Sequence, residues 1–356
     1  MVNFYPLRVT DIRKDTRDAV VVTLKPAEED AEHFNYIPGQ YFTFKKTFEG
    51  EELRRSYSIC SSANDNQLRI GIKKVDGGWF SRWANEELSV GDILESMPPQ
   101  GKFHDVIEPE AQKNYLMFAV GSGITAILGL TKTILESEPN AKVILTYVNR
   151  SFNTIMFRDE LSDLKDRFLT RLSILHILKT DAGDIDILNG RLDGEKLDQL
   201  FTRWMSPAAT DKAFICGPKD LLFLISEKLQ AHGLPKENIK IEFFESVPPK
   251  KARPETSDAS ARKDVKATVI IDGQTRVFEM SRAGETVLEA AQKANIELPF
   301  SCKGGVCSTC CAKVIKGKVE MQTNYALEDF EVERGLALTC QSIPLTDEIT
   351  LSFDEH

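Results

Sequence analysis

The chain is poor in what a membrane protein or a nucleic-acid binder needs. None of its apolar runs reaches the roughly eighteen residues of a membrane span. Its 45 lysines and arginines against 54 acidic residues leave a net charge of −9, a surface that nucleic-acid phosphates would repel. It opens Met1-Val2-Asn3-Phe4-Tyr5-Pro6, without the basic stretch and apolar core of a secretory leader, so a soluble, cytoplasmic protein without disulfides is expected. Histidine is scarce, at five in 356 residues, and His104, His176 and His232 read as structural or surface residues. There is no internal repeat, and nothing specifies an oligomeric state.

Cysteine, in contrast, is concentrated. Cys302, Cys307 and Cys310 stand at Cys-x4-Cys-x2-Cys spacing in Ser301-Cys302-Lys303-Gly304-Gly305-Val306-Cys307-Ser308-Thr309-Cys310, and Cys340 follows about thirty residues later. That is the ligand set of a plant-type 2Fe-2S cluster. A structural zinc usually takes two short Cys-x2–4-Cys knuckles, and only one short pair exists here. Cys311, directly after Cys310, is read as pointing away from the cluster.

A chain of 356 residues is too long for a lone ferredoxin, and two or three domains are expected. Residues 246–264, rich in Pro, charge and small polar side chains, read as a tether. Upstream, short β-rich runs (Pro6–Asp11, Ala19–Leu24, Tyr41–Lys45, Tyr57–Cys60, Leu68–Val75, Ile93–Met97) separated by Pro-Gly, Glu-Gly and Asp-Gly turns indicate a small antiparallel barrel. From about Ala111 strands and helices alternate, which predicts a parallel sheet covered by helices. From Val265 onward 14 acidic residues face 9 basic ones. Glu328, Asp329, Glu331 and Glu333 there are either a solvated helix face or a docking patch for a basic partner.

Several motifs carry chemistry. Gly121-Ser122-Gly123-Ile124-Thr125-Ala126 joins a strand to a helix, as a turn that cradles pyrophosphate on backbone N–H groups must. Arg150 and Arg158 stand where an acid would select NAD, which favours the 2′-phosphate of NADP; two surface arginines are the alternative. Cys216-Gly217-Pro218 ends a strand and leaves room for a flat ring, although taken alone a buried structural cysteine explains it better. Arg55 and Tyr57 share one face of a strand that the pattern starts near Arg54, followed by Ser58: a charge for pyrophosphate, a ring to stack on a flavin and a hydroxyl beside it. Gly78 and Ser81 offer a second phosphate-binding helix start, with Ser81 expected to cap residues 82–88.

In order, Arg55-x-Tyr57-Ser58, Gly78-x-x-Ser81, Gly121-x-Gly123, Cys216-Gly217-Pro218 and the cysteine loop resemble the ferredoxin-NADP reductase superfamily with a plant-type ferredoxin fused at the C-terminus. The resemblance covers essentially the whole chain. Within it, residues 50–55, 302–307 and 323–328 are similar to the reductase subunits of multicomponent di-iron oxygenases. The resemblance implies a multidomain α/β plus β protein. Its parts are an FAD-binding antiparallel β-barrel (1–108), an NAD(P)-binding parallel-sheet α/β domain (109–245), a linker (246–264) and a β-grasp ferredoxin-like domain (265–356). It implies that Arg55, Tyr57 and Ser58 bind FAD, with Gly78 and Ser81 at its pyrophosphate. Gly121, Gly123 and Thr125 would bind the nucleotide, with Cys216 and Gly217 beside the nicotinamide and Phe244 beside the flavin. Ser58 and Cys216 would be the catalytic pair, and Cys302, Cys307, Cys310 and Cys340 would hold the cluster. Electrons would pass from NADPH, with NADH as the alternative, through FAD and the cluster to a non-haem di-iron oxygenase. Two other readings stay open: the reductase of a different oxygenase, and a redox-sensing or cluster-carrying interaction protein. Ala126 departs from the proline usual in the family at the first turn of that helix.

Overall fold

The computed structural model describes residues 3–180, 183, 185–244, 265–282 and 284–355; the expected linker at 246–264 lies outside the described residues. Two compact units result, one carrying residues 5–244 and the other 265–355. The barrel and the α/β half both lie in the first of these units.

Six antiparallel strands build the barrel: β1 (Tyr5–Thr16), β2 (Ala19–Pro26), β3 (Tyr41–Phe48), β4 (Glu51–Ser58), β5 (Leu68–Lys73) and β6 (Ile93–Ser96), in the order β4-β3-β6-β1-β2-β5. A bridge between Ile59 and Ile70 links the two ends of that order and closes the sheet. Glu49 and Gly50, at φ +50° and +88°, form the tight turn joining β3 to β4. That turn sets an unbroken register from Phe48 opposite Glu51 to Tyr41 opposite Ser58. Arg54–Ser58 therefore end a strand rather than start one, because the turn lets pairing begin at Glu51. Helix α1 (Trp79–Glu86) follows β5. Leu7, Val9, Val22, Phe42, Phe44, Ile59, Ile70 and Ile72 are wholly buried in the barrel core.

The α/β half comprises β7 (Asn114–Val120), α2 (Ile124–Ser137), β8 (Lys142–Asn149), α3 (Arg158–Arg167), β9 (Leu172–Leu178), α4 (Gly194–Arg203), β10 (Lys212–Gly217), α5 (Lys219–Ala231) and β11 (Ile239–Phe243). The sheet is wholly parallel in the order β11-β10-β7-β8-β9. The chain reverses direction across the sheet between β7 and β10, and ligands bind at such switch points, beyond the carboxyl ends of the strands. Helix α3 starts at Arg158. Phe157 takes φ +56°, and its N–H is held by Asp15 Oδ2 of the barrel at 2.9 Å.

The second unit holds β12 (Val265–Ile271), β13 (Gln274–Met280), α6 (Val287–Lys293), β14 (Cys311–Lys316), β15 (Val319–Met321), α7 (Asp329–Glu333), β16 (Leu336–Leu338), β17 (Ser342–Pro344) and β18 (Glu348–Ser352). Its main sheet runs β13-β12-β18-β14-β16, with β12 and β18 parallel in the middle. In the acidic segment, Glu328 and Glu331 form a reciprocal capping box at the start of α7, and Glu331 is buried. Two of the four acids thus serve the helix itself.

A polar network joins barrel to sheet. Lys132 of α2 pairs with Asp65 at 2.5 Å and Glu160 at 3.3 Å, Arg69 pairs with Glu160 at 2.7 Å, and Ser62 donates to Glu136 at 2.7 Å. Removing Lys132 takes the cation from the half-buried Asp65 and one of two cations from Glu160, which keeps Arg69. Lys132→Ala is therefore expected to cost about 1–3 kcal/mol, read as a lower urea midpoint for the 5–244 unit. An unchanged midpoint would mean that water replaces the pair without loss.

Candidate flavin, nucleotide and cluster sites

The glycine turn sits at the switch point. Gly121 has φ +55°, the left-handed region that favours glycine. A Cβ on Gly123 would stand 2.3 Å from the Cys216 carbonyl oxygen, so the start of α2 closes on the end of β10 only without a side chain. Tyr147 Oη donates to Gly121 O at 3.1 Å and accepts from Met156 N–H at 3.2 Å, fixing the turn. Thr125 does not offer its side chain to a nucleotide. It is 1% exposed, its Oγ1 donates to Ser122 O at 3.0 Å, and its methyl lies over Gly71 of the barrel. Its backbone N–H, in the first turn of α2, is what remains for a phosphate. Lys73, which sequence reasoning passed over, brings a cation to the same turn: its Nζ lies 3.8 Å from where a Gly121 Cβ would be. Burial lowers the Lys73 pKa, with Asp18 opposing.

Arg150 and Arg158 are both exposed. Arg158 is the first residue of α3 and lies 4.6 Å over the Phe152 ring.

Beyond the carboxyl end of β10, three side chains meet. Ser58 Oγ donates to Glu242 Oε2 at 3.3 Å, and Cys216 Sγ lies 4.0 Å from the same oxygen. The register sets Cys216 beside Glu242 across β10 and β11, and Phe244 N–H donates to Gly217 O at 2.9 Å. Burial, and next the Glu242 charge, push the Cys216 thiol well above its ordinary value. Burial raises Glu242 to about 8, with the Ser58 hydroxyl opposing. Glu242 was not expected. Its sequence signal is weak, one acid among the alternating residues of an edge strand, and only the register reveals its neighbours.

On β4, Arg55 is exposed with its Nη1 donating to Arg54 O at 2.7 Å. Tyr57 packs against Phe80 of α1 at 5.4 Å, and burial raises its phenol pKa, with Arg55 opposing. Gly78 is extended as the N-cap of α1. Ser81 is not the cap but the third helical residue, its Oγ accepting from Val75 N–H at 3.1 Å and donating to Gly78 O at 3.2 Å. The helix starts earlier than expected because Gly78 leaves it at once and Trp79 continues it.

In the second unit the four expected cysteines converge. Cys307 Sγ donates to Cys302 Sγ at 3.1 Å, and Gly304 N–H donates to the same sulfur at 3.3 Å. The Cys307 and Cys340 thiols lower Cys302 while their own pKa values rise; for Cys340 the contacts are Cys302 and Cys310. A Cβ on Gly305 would stand 2.7 Å from Thr323 O, so the loop's tight wrap requires that glycine. Four thiols and backbone N–H groups aimed at sulfur fit a cluster held by thiolates. Among the described residues no three His, Cys, Asp or Glu side chains are gathered as ligands of one ion. Cys311 opens β14 opposite Leu338 and packs against the domain core.

Comparison with known proteins accounts for each part. Residues 6–104 match the oxidoreductase FAD-binding domain family, 117–227 the oxidoreductase NAD-binding domain family, and 269–345 the 2Fe-2S iron-sulfur cluster binding domain family. One component of the 1,2-phenylacetyl-CoA epoxidase of Escherichia coli (strain K12) is 40% identical over 354 residues, covering 99% of both chains. The chain belongs to the ferredoxin-NADP reductase superfamily, in the branch fused to a 2Fe-2S ferredoxin domain. Another relative, the ferredoxin reductase component of 3-ketosteroid-9-alpha-monooxygenase of Rhodococcus rhodochrous, is 28% identical over 98% of this chain and 96% of its own. Phthalate dioxygenase reductase shares the fold, at TM-score 0.60 and 23% identity over 99% of this chain and 98% of its own. As a reductase of this superfamily the chain uses FAD, a nicotinamide nucleotide and a 2Fe-2S cluster, and is an NAD(P)H-dependent flavin iron–sulfur oxidoreductase. The epoxidase and 3-ketosteroid monooxygenase relatives are both components of oxygenases. No helix among the described residues is long and apolar enough to cross a membrane.

The raised Glu242 pKa has a sign that can be measured. The ordinary value is 4.5 and the folded one about 8. The stability tied to the protonated carboxyl is therefore fully present below the ordinary value and lost as pH rises through the folded one. In Glu242→Gln that loss disappears, and the melting temperature should fall less than wild type between about pH 5 and about pH 9. Parallel melting curves would contradict the raised value.

Proposed function

We propose that this chain is the reductase component of a di-iron oxygenase that epoxidises phenylacetyl-CoA, in the cytoplasm, with NADPH as donor. The 40% identity to the phenylacetyl-CoA epoxidase component along both whole chains supports the oxygenase. Arg150 and Arg158, with no acid at the end of β8, support the 2′-phosphate of NADPH. A reducing compartment suits four thiols that must stay free for cluster assembly.

The observation that carries the electron-transfer reading is the meeting of Ser58, Cys216 and Glu242 at the switch point, where barrel and sheet present their edges to each other. When bound, the cofactors supply hydride acceptance and one-electron release. The chain's own residues would do the rest. Arg55 would neutralise a pyrophosphate, with Gly78 and the Ser81 turn beside it. Tyr57 would stack on the flavin. Gly121, Gly123, the Thr125 N–H and Lys73 would hold the nucleotide phosphates. Cys216 and Gly217 would leave room for the nicotinamide, with Phe244 lying by the flavin. Ser58 and Glu242 would line the reacting edge with a hydroxyl and, at neutral pH, an uncharged carboxyl, excluding water. Cys302, Cys307, Cys310 and Cys340 would hold the cluster as the exit port. The domain limits proposed with this reading are 1–108, 109–245, a linker at 246–264, and 265–356.

Cys307→Ser is expected to abolish cytochrome c reduction while leaving ferricyanide reduction by the flavin largely intact; loss of both would contradict this order of carriers. Combined with a phenylacetyl-CoA oxygenase complex, the wild-type chain should consume NADPH in step with product. Consumption without product would favour a different oxygenase.

A further inference from the structure

The four sulfurs come from two segments far apart in the chain, and one side chain touches both. Gln341 is 3% exposed. Its Nε2 has two hydrogens and three acceptors around it, Lys303 O at 3.0 Å, Cys340 O at 2.9 Å and Cys340 Sγ at 3.6 Å, so one hydrogen is shared, as between the carbonyl and the sulfur of Cys340. All three partners are acceptors, so the amide must present its nitrogen; turned over, it would set an oxygen against two carbonyls and a sulfur. The backbone holds it there, with Gln341 N–H donating to Leu338 O and Gln322 N–H donating to Gln341 O, both at 2.9 Å. Lys303, whose carbonyl it anchors, is a non-glycine residue at φ +53°, a conformation that needs outside support.

We propose that Gln341 is a positioning residue that sets the cluster's reduction potential through its hydrogen bond to Cys340 Sγ, while anchoring the strained loop at Lys303. This rests on the reading of the four cysteines as ligands. An N–H aimed at a ligating sulfur stabilises negative charge there, and the reduced cluster carries one more electron than the oxidised one. The contact therefore favours the reduced state, which equips the cluster to draw electrons from the flavin.

The test is a redox titration of the holoprotein, followed by EPR, for wild type, Gln341→Leu, Lys303→Gly and the double variant. Gln341→Leu should weaken one-electron reduction of the cluster by about 3- to 10-fold, the upper end corresponding to about 59 mV, without changing the rate of flavin reduction by NADPH. Lys303→Gly relieves the backbone strain, so the double variant should show the same drop as Gln341→Leu. A wild-type potential in Gln341→Leu overturns the proposal, as does a drop that vanishes in the Lys303→Gly background, which would leave Gln341 as a loop staple only. If Gln341→Leu fails to take up a cluster, wild type carrying nitrogen-15-labelled glutamine decides. Pulsed EPR should then show a glutamine nitrogen coupled to the reduced cluster, and no coupling overturns the proposal. Failure of the ligand reading itself looks different: wild type would give no reduced-cluster signal at all.

Discussion

Helix α2 occupies a position that side chains would forbid. A Cβ on Gly123 would overlap the Cys216 carbonyl at 2.3 Å, one on Gly129 would approach Ser61 O at 2.7 Å, and one on Gly71 would meet the Thr125 methyl at 2.7 Å. Three glycines, two in the helix segment and one in the barrel, therefore let a single helix close on the sheet and on the barrel together. The rest of the site follows. The glycine turn at Gly121, the end of β10 with Cys216, and the barrel edge with Ser58 meet because α2 fits between them. The ion pairs of Lys132 and the Asp15 hold on Phe157 then keep the two halves in one unit.

Features whose chemistry is local were legible in the sequence. The convergence of the four cysteines and the glycine turn between β7 and α2 both leave marks in adjacent residues. The barrel and the alternating half were readable because each strand carries its own apolar pattern and turn. Features set by distant partners were not. Phe157 leaves the helical conformation, and so makes Arg158 the first residue of α3, because of an aspartate 142 residues away. The Thr125 side chain turns to the barrel because Gly71 makes room for it. Glu242 finds Ser58 across 184 residues, and no local pattern announces such a meeting. Ser81 was misplaced for a subtler reason: a serine before a helical stretch resembles a cap, and the extended backbone of Gly78 took that role first.

The second unit repeats the principle in sulfur. Its ligand loop depends on left-handed backbone at Lys303 and Gly305, on a carbonyl at Thr323 too close for any Cβ, and on Gln341 joining the loop to Cys340. The acidic residues before Gly335 are divided between tasks. Glu328 and Glu331 cap α7, so the negative charge there is partly structural.

The central claim is an order of carriers: nucleotide to flavin in the first unit, flavin to cluster in the second. Anaerobic rapid mixing of the holoprotein with NADPH, following flavin absorbance and freeze-quenched EPR together, tests it most directly. The flavin band should bleach first, the reduced-cluster signal should rise afterwards, and full reduction should take up about three electrons per chain, two on the flavin and one on the cluster. A cluster that is reduced before the flavin, or in protein stripped of FAD, would contradict it.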